Sequence, residues 1–444
     1  VHTTVSPQSL LTGDIPPQIR RLSVPLVFGM LAMSAFTFID TYFIAQLGTF
    51  PLAALGFTIS VVMFFMGIIY GLNVGTSSAV ARAFGSGDMD RVRRVSTDAI
   101  SLTAVTVFSA AVIGFLMVDP VFRALGVKPD MMPLVHDYMA VWYCGLPFLG
   151  LMMVANACIR GTGDTRFPAA VMIGVSVVNI ALDPFLIFGW GFFPRLELTG
   201  AAATMTTAYV TTFLVSMYFV VFRRRMLSAV IIHPGLVRNW LHILHVAVPS
   251  MMSNLIGPLS MMTITWMAAQ YGKEAVAALG VANRIDNLAT LVFFGFGAGI
   301  SIFSGQNFSS GNYGRIRDAA AYCFRVMIAW GLFIAGVLWI FADDIPHLFD
   351  KNADVIAYAT QYLHWVPISY AGMGVMVIVN AILNGSGKPL PATFFIFLKA
   401  FILYVPLAWW LQQDYGFTGI VAALMLANFI VGISSYVYHR KVMR

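Results

Sequence analysis

IRRLSVPLVFGMLAMSAFTFIDTYFIAQL, residues 19–47, is an apolar stretch with two arginines at its start and one acid, Asp40, towards its far end. At about 1.5 Å per residue a helix of this length crosses a hydrocarbon core of about 30 Å. Arg20 and Arg21 mark one water interface. Asp40 lies about five turns further on, well inside the apolar slab. A carboxylate at such a depth costs at least about 2.5–3.5 kcal/mol, so it is paired, protonated or functional.

The rest of the chain follows the same grammar. Of 444 residues, 59% are hydrophobic and 10% charged, with mean hydropathy +0.82. Soluble domains carry about 25% charge, so this composition belongs to a polytopic membrane protein. Apolar runs between polar or Gly/Pro breaks predict an all-α protein of twelve transmembrane helices, over 20–47, 52–81, 95–118, 134–159, 167–189, 200–222, 241–270, 275–305, 319–342, 356–383, 391–411 and 417–438. Residues 1–18 are polar, so no cleavable leader is expected and the first span serves as the insertion signal.

Eighteen of the 26 Lys and Arg fall in loops on the side of Arg20, Arg444 among them, and five in loops on the other side. The positive-inside rule then puts both termini in the cytoplasm, and a bacterial inner membrane is expected. The net charge of +7 sits in these short loops, so it does not indicate nucleic-acid binding. Cys144, Cys158 and Cys323 lie in or beside apolar runs without a CxxC pair and are expected to be packed thiols.

The chain repeats at an offset of 224 residues. Pro25 matches Pro249, Ala53-Ala54-Leu55-Gly56 matches Ala277-Ala278-Leu279-Gly280, and Gly71 and Gly75 match Gly295 and Gly299. Gly87, Arg91 and Arg93 match Gly311, Arg315 and Arg317, and Asn156-Ala157 matches Asn380-Ala381. The offset covers six helices, so the halves are parallel repeats: two six-helix bundles related by a pseudo-two-fold axis around a cavity. The expected division is an N-lobe over 1–222, a basic linker over 223–240 and a C-lobe over 241–444. Two equal bundles around one cavity suit alternating access.

Positions where the halves differ are better candidates for function than positions where they agree. Asp40 faces Ile264 in the repeat and so belongs to the first half alone. In span 5, VSVVNIALDPFLIFG, Asn179 and Asp183 are one turn apart on one face, and Pro184 frees a backbone carbonyl beside them. Tyr138 and Asn156 share a face of span 4, and Thr204 opens a polar face on span 6. Met33 and Phe36 of span 1 are expected to line the cavity. Each polar residue taken singly reads as an interhelical hydrogen bond, worth about 0.6 kcal/mol. Two acids in one bundle point instead to proton or cation exchange. A buried carboxylate resists ionisation, and a second one nearby resists it further. Asn and Thr oxygens beside two carboxylates also suit sodium. No resident cofactor or metal is expected, and the coupling ion is H+ with Na+ as the alternative.

In the second half Arg284, Asp286 and Lys399 lie within spans and are expected to form an ion pair or network. Gly161-Thr162-Gly163-Asp164 spells a GxGD motif but falls at a loop and reads as a turn; an intramembrane hydrolase would need Asp40 and Asp183 side by side at a scissile bond. His242 and His245 have no metal-ligand spacing around them.

Taken together, Pro25, the Asp40 of FTFIDTYFIAQLG, the RGTGDTRFP after span 4 and the VNIALDP of span 5 resemble the MATE (multidrug and toxic compound extrusion) transporters, over the whole chain. The placement of acids resembles the DinF-like prokaryotic subfamily. Span 7 lacks the acid that the other main prokaryotic subfamily carries there. The resemblance implies a V-shaped two-lobe fold and a monomeric antiporter of amphipathic, cationic drugs in the bilayer. It implies a site at Asp40, Asn179 and Asp183, with Tyr138, Asn156 and Thr204 beside it. It also implies that protonation bends span 1 around Pro25 and expels the cargo. Sodium coupling and a lipid-linked precursor flippase are the alternatives.

Overall fold

The computed structural model describes residues 10–191, 194–230 and 233–442. Arg444 and the first nine residues, which entered the charge and leader readings above, lie outside them. All twelve predicted spans are helical, and no strand occurs among the described residues. Besides a short helix over Val118–Ala124, the spanning helices are α1 Ile15–Ala45, α2 Thr49–Gly85, α3 Met89–Leu116, α4 Met132–Gly161, α5 Arg166–Phe188, α6 Glu197–Tyr218, α7 Leu236–Ala268, α8 Lys273–Ser309 and α9 Tyr313–Ile340. Then come α10 Ala353–Gly385, α11 over 389–415 and α12 over 417–442. The last two run together except at Gly416, whose φ of 59° and ψ of −139° break the helix where a side chain would be strained.

Several helices overrun their apolar runs at the arginine-rich end. α3 starts at Met89 rather than 95 because the Asp88 carboxylate caps it, accepting from the Arg91 N–H at 2.9 Å. α7 starts at Leu236 rather than 241, and α9 at Tyr313 rather than 319. Hydropathy marks where lipid ends, whereas a helix continues wherever its backbone groups are satisfied. The segments Phe219–Arg223 and Leu398–Tyr404 widen into π-helical turns, the second of which carries Lys399.

The chain divides into two compact units. One comprises Phe28–Met251; the other comprises Leu10–Val27 together with the residues from Met252 onward. Each cut falls two residues beyond a repeat-related proline, Pro25 and Pro249. The first part of α1 therefore packs within the second unit, and the first part of α7 within the first.

The matched glycines explain how. In the first unit, a Cβ on Gly71 would lie 2.7 Å from the Ala247 carbonyl oxygen, and one on Gly75 would lie 2.7 Å from that of Ile243. In the second unit, a Cβ on Gly295 would meet Val27 and one on Gly299 would meet Ser23. These small-xxx-small pairs on α2 and α8 let the half-helices approach backbone to backbone, the packing mode available to helices in lipid. Cys158 and Cys323 are buried thiols and Cys144 is exposed.

Candidate functional site

The first unit gathers its acids at one place. Asp40 on α1 is 6% exposed and Asp183 on α5 is 1% exposed. They stand within electrostatic reach of each other. Asp40 Oδ1 and both carboxylate oxygens of Asp183 are buried and receive no hydrogen bond of normal geometry, although the Thr204 hydroxyl stands beside Asp183. Asn179, one turn before Asp183, spends its amide N–H on the Val175 carbonyl at 2.8 Å, which leaves its Oδ1 without a donor too. Pro184 has no N–H for the Ile180 carbonyl, so the backbone here is also short of donors. Buried oxygens are rarely left this way. All of them are acceptors of the kind that take a proton or a hard cation.

The surrounding wall comes from α1, α4 and α6. Phe36 lies one turn before Asp40 on the same face of α1 and is buried, and Met33 lies a further turn back, half-buried. Tyr138 of α4 is buried within reach of Asp40. Thr204 of α6 stands beside Asp183 while its hydroxyl donates to the Gly200 carbonyl at 3.0 Å.

Asn156 does not join this group. It shares a face with Tyr138, but 18 residues of helix separate them by about 27 Å. Its buried Oδ1 lacks a donor, as does that of its repeat mate Asn380. Two residues not singled out from sequence do join the group: Tyr209 of α6 lies within reach of Asp40 and of Tyr70 of α2. The repeat carries the signal that could have found Tyr70, which faces Phe294.

The second unit treats its acid differently. Asp286 on α8 accepts hydrogen bonds from the hydroxyls of Tyr362, at 2.5 Å, and Tyr370, both on α10. Lys399 is within electrostatic reach of Asp286. Arg284 is exposed and forms no ion pair among the described residues. The expected network is thus built mainly of tyrosines, because residues two apart on a helix face nearly opposite ways. The GxGD acid, Asp164, accepts from the Arg166 and Phe167 N–H groups at 3.2 and 3.3 Å and pairs with Arg224, the work of a turn. No cluster of three or more His, Cys, Asp or Glu that could hold a metal occurs among the described residues.

Comparison with known proteins agrees with this architecture. The family model MatE matches residues 25–185 and 249–410, one copy in each repeat. A protein of Shewanella oneidensis named as an FAD transporter is 32% identical over 434 residues, which is 98% of this chain and 96% of that one. YpnP of Bacillus subtilis, named as a probable multidrug resistance protein, is 25% identical over 96% of this chain and 95% of its own. Among solved structures, the Vibrio cholerae MATE transporter VcmN matches with a TM-score of 0.93 at 26% identity, over 99% of this chain and 98% of that one. At that identity the two are separate relatives.

Proposed function

The chain belongs to the MatE family of membrane transporters, and we propose that it is a secondary active exporter of amphipathic and cationic compounds driven by proton antiport through the acids of its first unit. The observation that carries this reading is the set of buried oxygens on Asp40, Asp183 and Asn179 that the protein itself leaves without donors. A proton supplies what is missing. Taken up at one face of the membrane and released at the other, one proton is worth about 2.3 kcal/mol per 100 mV plus about 1.4 kcal/mol per pH unit. That exceeds the ~2.7 kcal/mol of a hundredfold cargo gradient.

In this reading Asp40 and Asp183 share the proton, and Tyr138, Tyr209, Thr204, Met33 and Phe36 shape the place where cargo competes with it. Protonation bends α1 around Pro25. The division of α1 between the two compact units just past this proline supports a hinge there. The orientation with both termini inside is supported by the distribution of arginines, and alternating access by the two parallel repeats. Because the open atoms are all oxygens, sodium is the alternative coupling ion. The protein acts as a monomer without a resident cofactor.

A second reading of the cargo is favoured by the 32% identity to the FAD transporter: a flavin dinucleotide. Proteoliposomes enclosing a pH-sensitive dye distinguish these readings. They are given a proton gradient, then a cationic dye or FAD, with and without sodium. Proton movement triggered by the cationic dye and lost in Asp40→Asn is the expected result. Movement triggered by FAD alone changes the cargo, and sodium-dependent flux without proton movement sinks proton coupling.

A further inference from the structure

Away from the acids, the arginine-rich end of the first unit forms an open, surface-facing cavity of about 1040 Å³ between the end of α2, the start of α3 and the segment leading into α7. Arg82, Arg91, Arg94 and Arg238 line it, against one carboxylate, Asp88. That carboxylate is already committed to capping α3. Arg82 and Arg91 stand close enough to feel each other's charge. The side chains of Arg91, Arg94 and Arg238 have no hydrogen-bonding or ionic partner among the described residues.

Basic side chains at the ends of spans ordinarily report membrane orientation and nothing more. The internal repeat tests that explanation. Moved by 224 residues, Arg82, Arg91, Arg94 and Arg238 become Gln306, Arg315, Asp318 and Asp14, so four cations are replaced by one cation and two acids. The single arginine kept, Arg315, is engaged by the chain through both of its terminal nitrogens. It donates to the Gly13 carbonyl at 2.9 Å, just before α1, and to Gln18 Oε1 at 3.2 Å, in the first turn of α1. The same device thus closes with its own backbone in the second unit and stays open and cationic in the first.

The wall of the open version is held in place. The fully buried Asp98 of α3 accepts from the Asn239 amide at 2.7 Å and meets His233 Nε2 at 3.1 Å. This pins the leading segment across the cavity independently of the arginines. The N-termini of α3 and α7 also begin at its rim, where backbone N–H groups and the helix dipole favour an anion.

We propose that this cavity binds a phosphate-bearing anion, held by Arg91, Arg94 and Arg238 with Arg82 behind them. Guanidinium groups take phosphate oxygens in bidentate pairs, which suits several converging arginines better than a single charge would. Two sources share this chemistry: the headgroup of an anionic phospholipid in the adjoining leaflet, and a soluble phosphate or diphosphate. The proposal rests on this cavity alone and stands whether or not the acids of the first unit carry protons.

The test uses purified full-length protein in an uncharged detergent, titrated with inorganic pyrophosphate. In parallel, the same protein is placed in nanodiscs of phosphatidylcholine with or without phosphatidylglycerol. Binding and thermal unfolding are followed in both, for the wild type, for Arg91→Gln/Arg94→Gln and for Arg317→Gln, which removes one arginine of the second repeat outside the cavity. Pyrophosphate binding, or a phosphatidylglycerol-dependent rise in unfolding temperature, weakened at least about tenfold in the double variant and preserved in Arg317→Gln, is expected. Pyrophosphate binding assigns the site to a soluble phosphate, and a response to phosphatidylglycerol alone assigns it to a headgroup. No response to either probe, or an equal loss in Arg317→Gln, overturns the proposal.

Discussion

The two units each bury an acid, and they treat it in opposite ways. Asp286 receives hydroxyls from Tyr362 and Tyr370 and has Lys399 within reach. Asp40 and Asp183 keep buried oxygens without donors. The repeat makes the contrast sharper. Tyr362 aligns with Tyr138, which also stands near an acid, but Tyr370 aligns with Leu146 and Asp286 with Val62. One tyrosine position was kept in both halves, used as a clamp in one and as part of a wall in the other. Burial of an acid is therefore a poor indicator of function by itself. In the proposed reading, what separates a structural acid from an exchanging one is whether the protein has already met its hydrogen-bonding needs.

The largest test of this contrast is Asp40→Asn. Coupled export in proteoliposomes should fall to the level of protein-free vesicles while the unfolding temperature stays near that of the wild type; wild-type export would remove Asp40 from the mechanism. Asp183→Asn should follow, with initial export slowed by at least about tenfold, equivalent to about 1.4 kcal/mol. An unchanged rate would leave Asp40 to act alone. In the second unit the expectation inverts. Tyr362→Phe should lower stability by about 1.5–3 kcal/mol, the worth of a hydrogen bond to a charged group, with export per folded molecule close to wild type. A transport defect at full stability would show that Asp286 is no mere clamp. The smallest effect is expected for Tyr209→Phe: about a twofold change in the apparent affinity for cargo, ~0.4 kcal/mol, read as a shift in half-saturating concentration without loss of maximal rate. Abolished export would promote Tyr209 into the exchange site itself.

Much of this was legible from residues alone, for identifiable reasons. A helix in lipid must satisfy its backbone internally, so runs such as Ile19–Leu47 declare spans without further help. The repeat showed in Pro25 and Pro249 and in the glycine pairs because close backbone packing tolerates few substitutes. Asn179 and Asp183 could be placed on one face because helical spacing is local. Shared faces misled for Asn156, since a common face carries no information on distance along the axis, and its 18-residue separation from Tyr138 leaves it out of the group.

The sequence by itself determined the twelve spans, the doubled architecture and the asymmetry of acids between the halves, because each is written in composition, period or self-similarity along the chain. Only the tertiary structure decided which acids are satisfied. Tyr370 lies 84 residues from Asp286, and Asn239 lies 141 from Asp98; no periodicity spans such distances. It likewise decided that α1 and α7 change units past their prolines, and that four arginines surround a cavity in one repeat while the other closes its own with backbone. Hydrogen-bond partnership and enclosed space arise from side chains brought together by packing, and packing is a property of the folded chain as a whole.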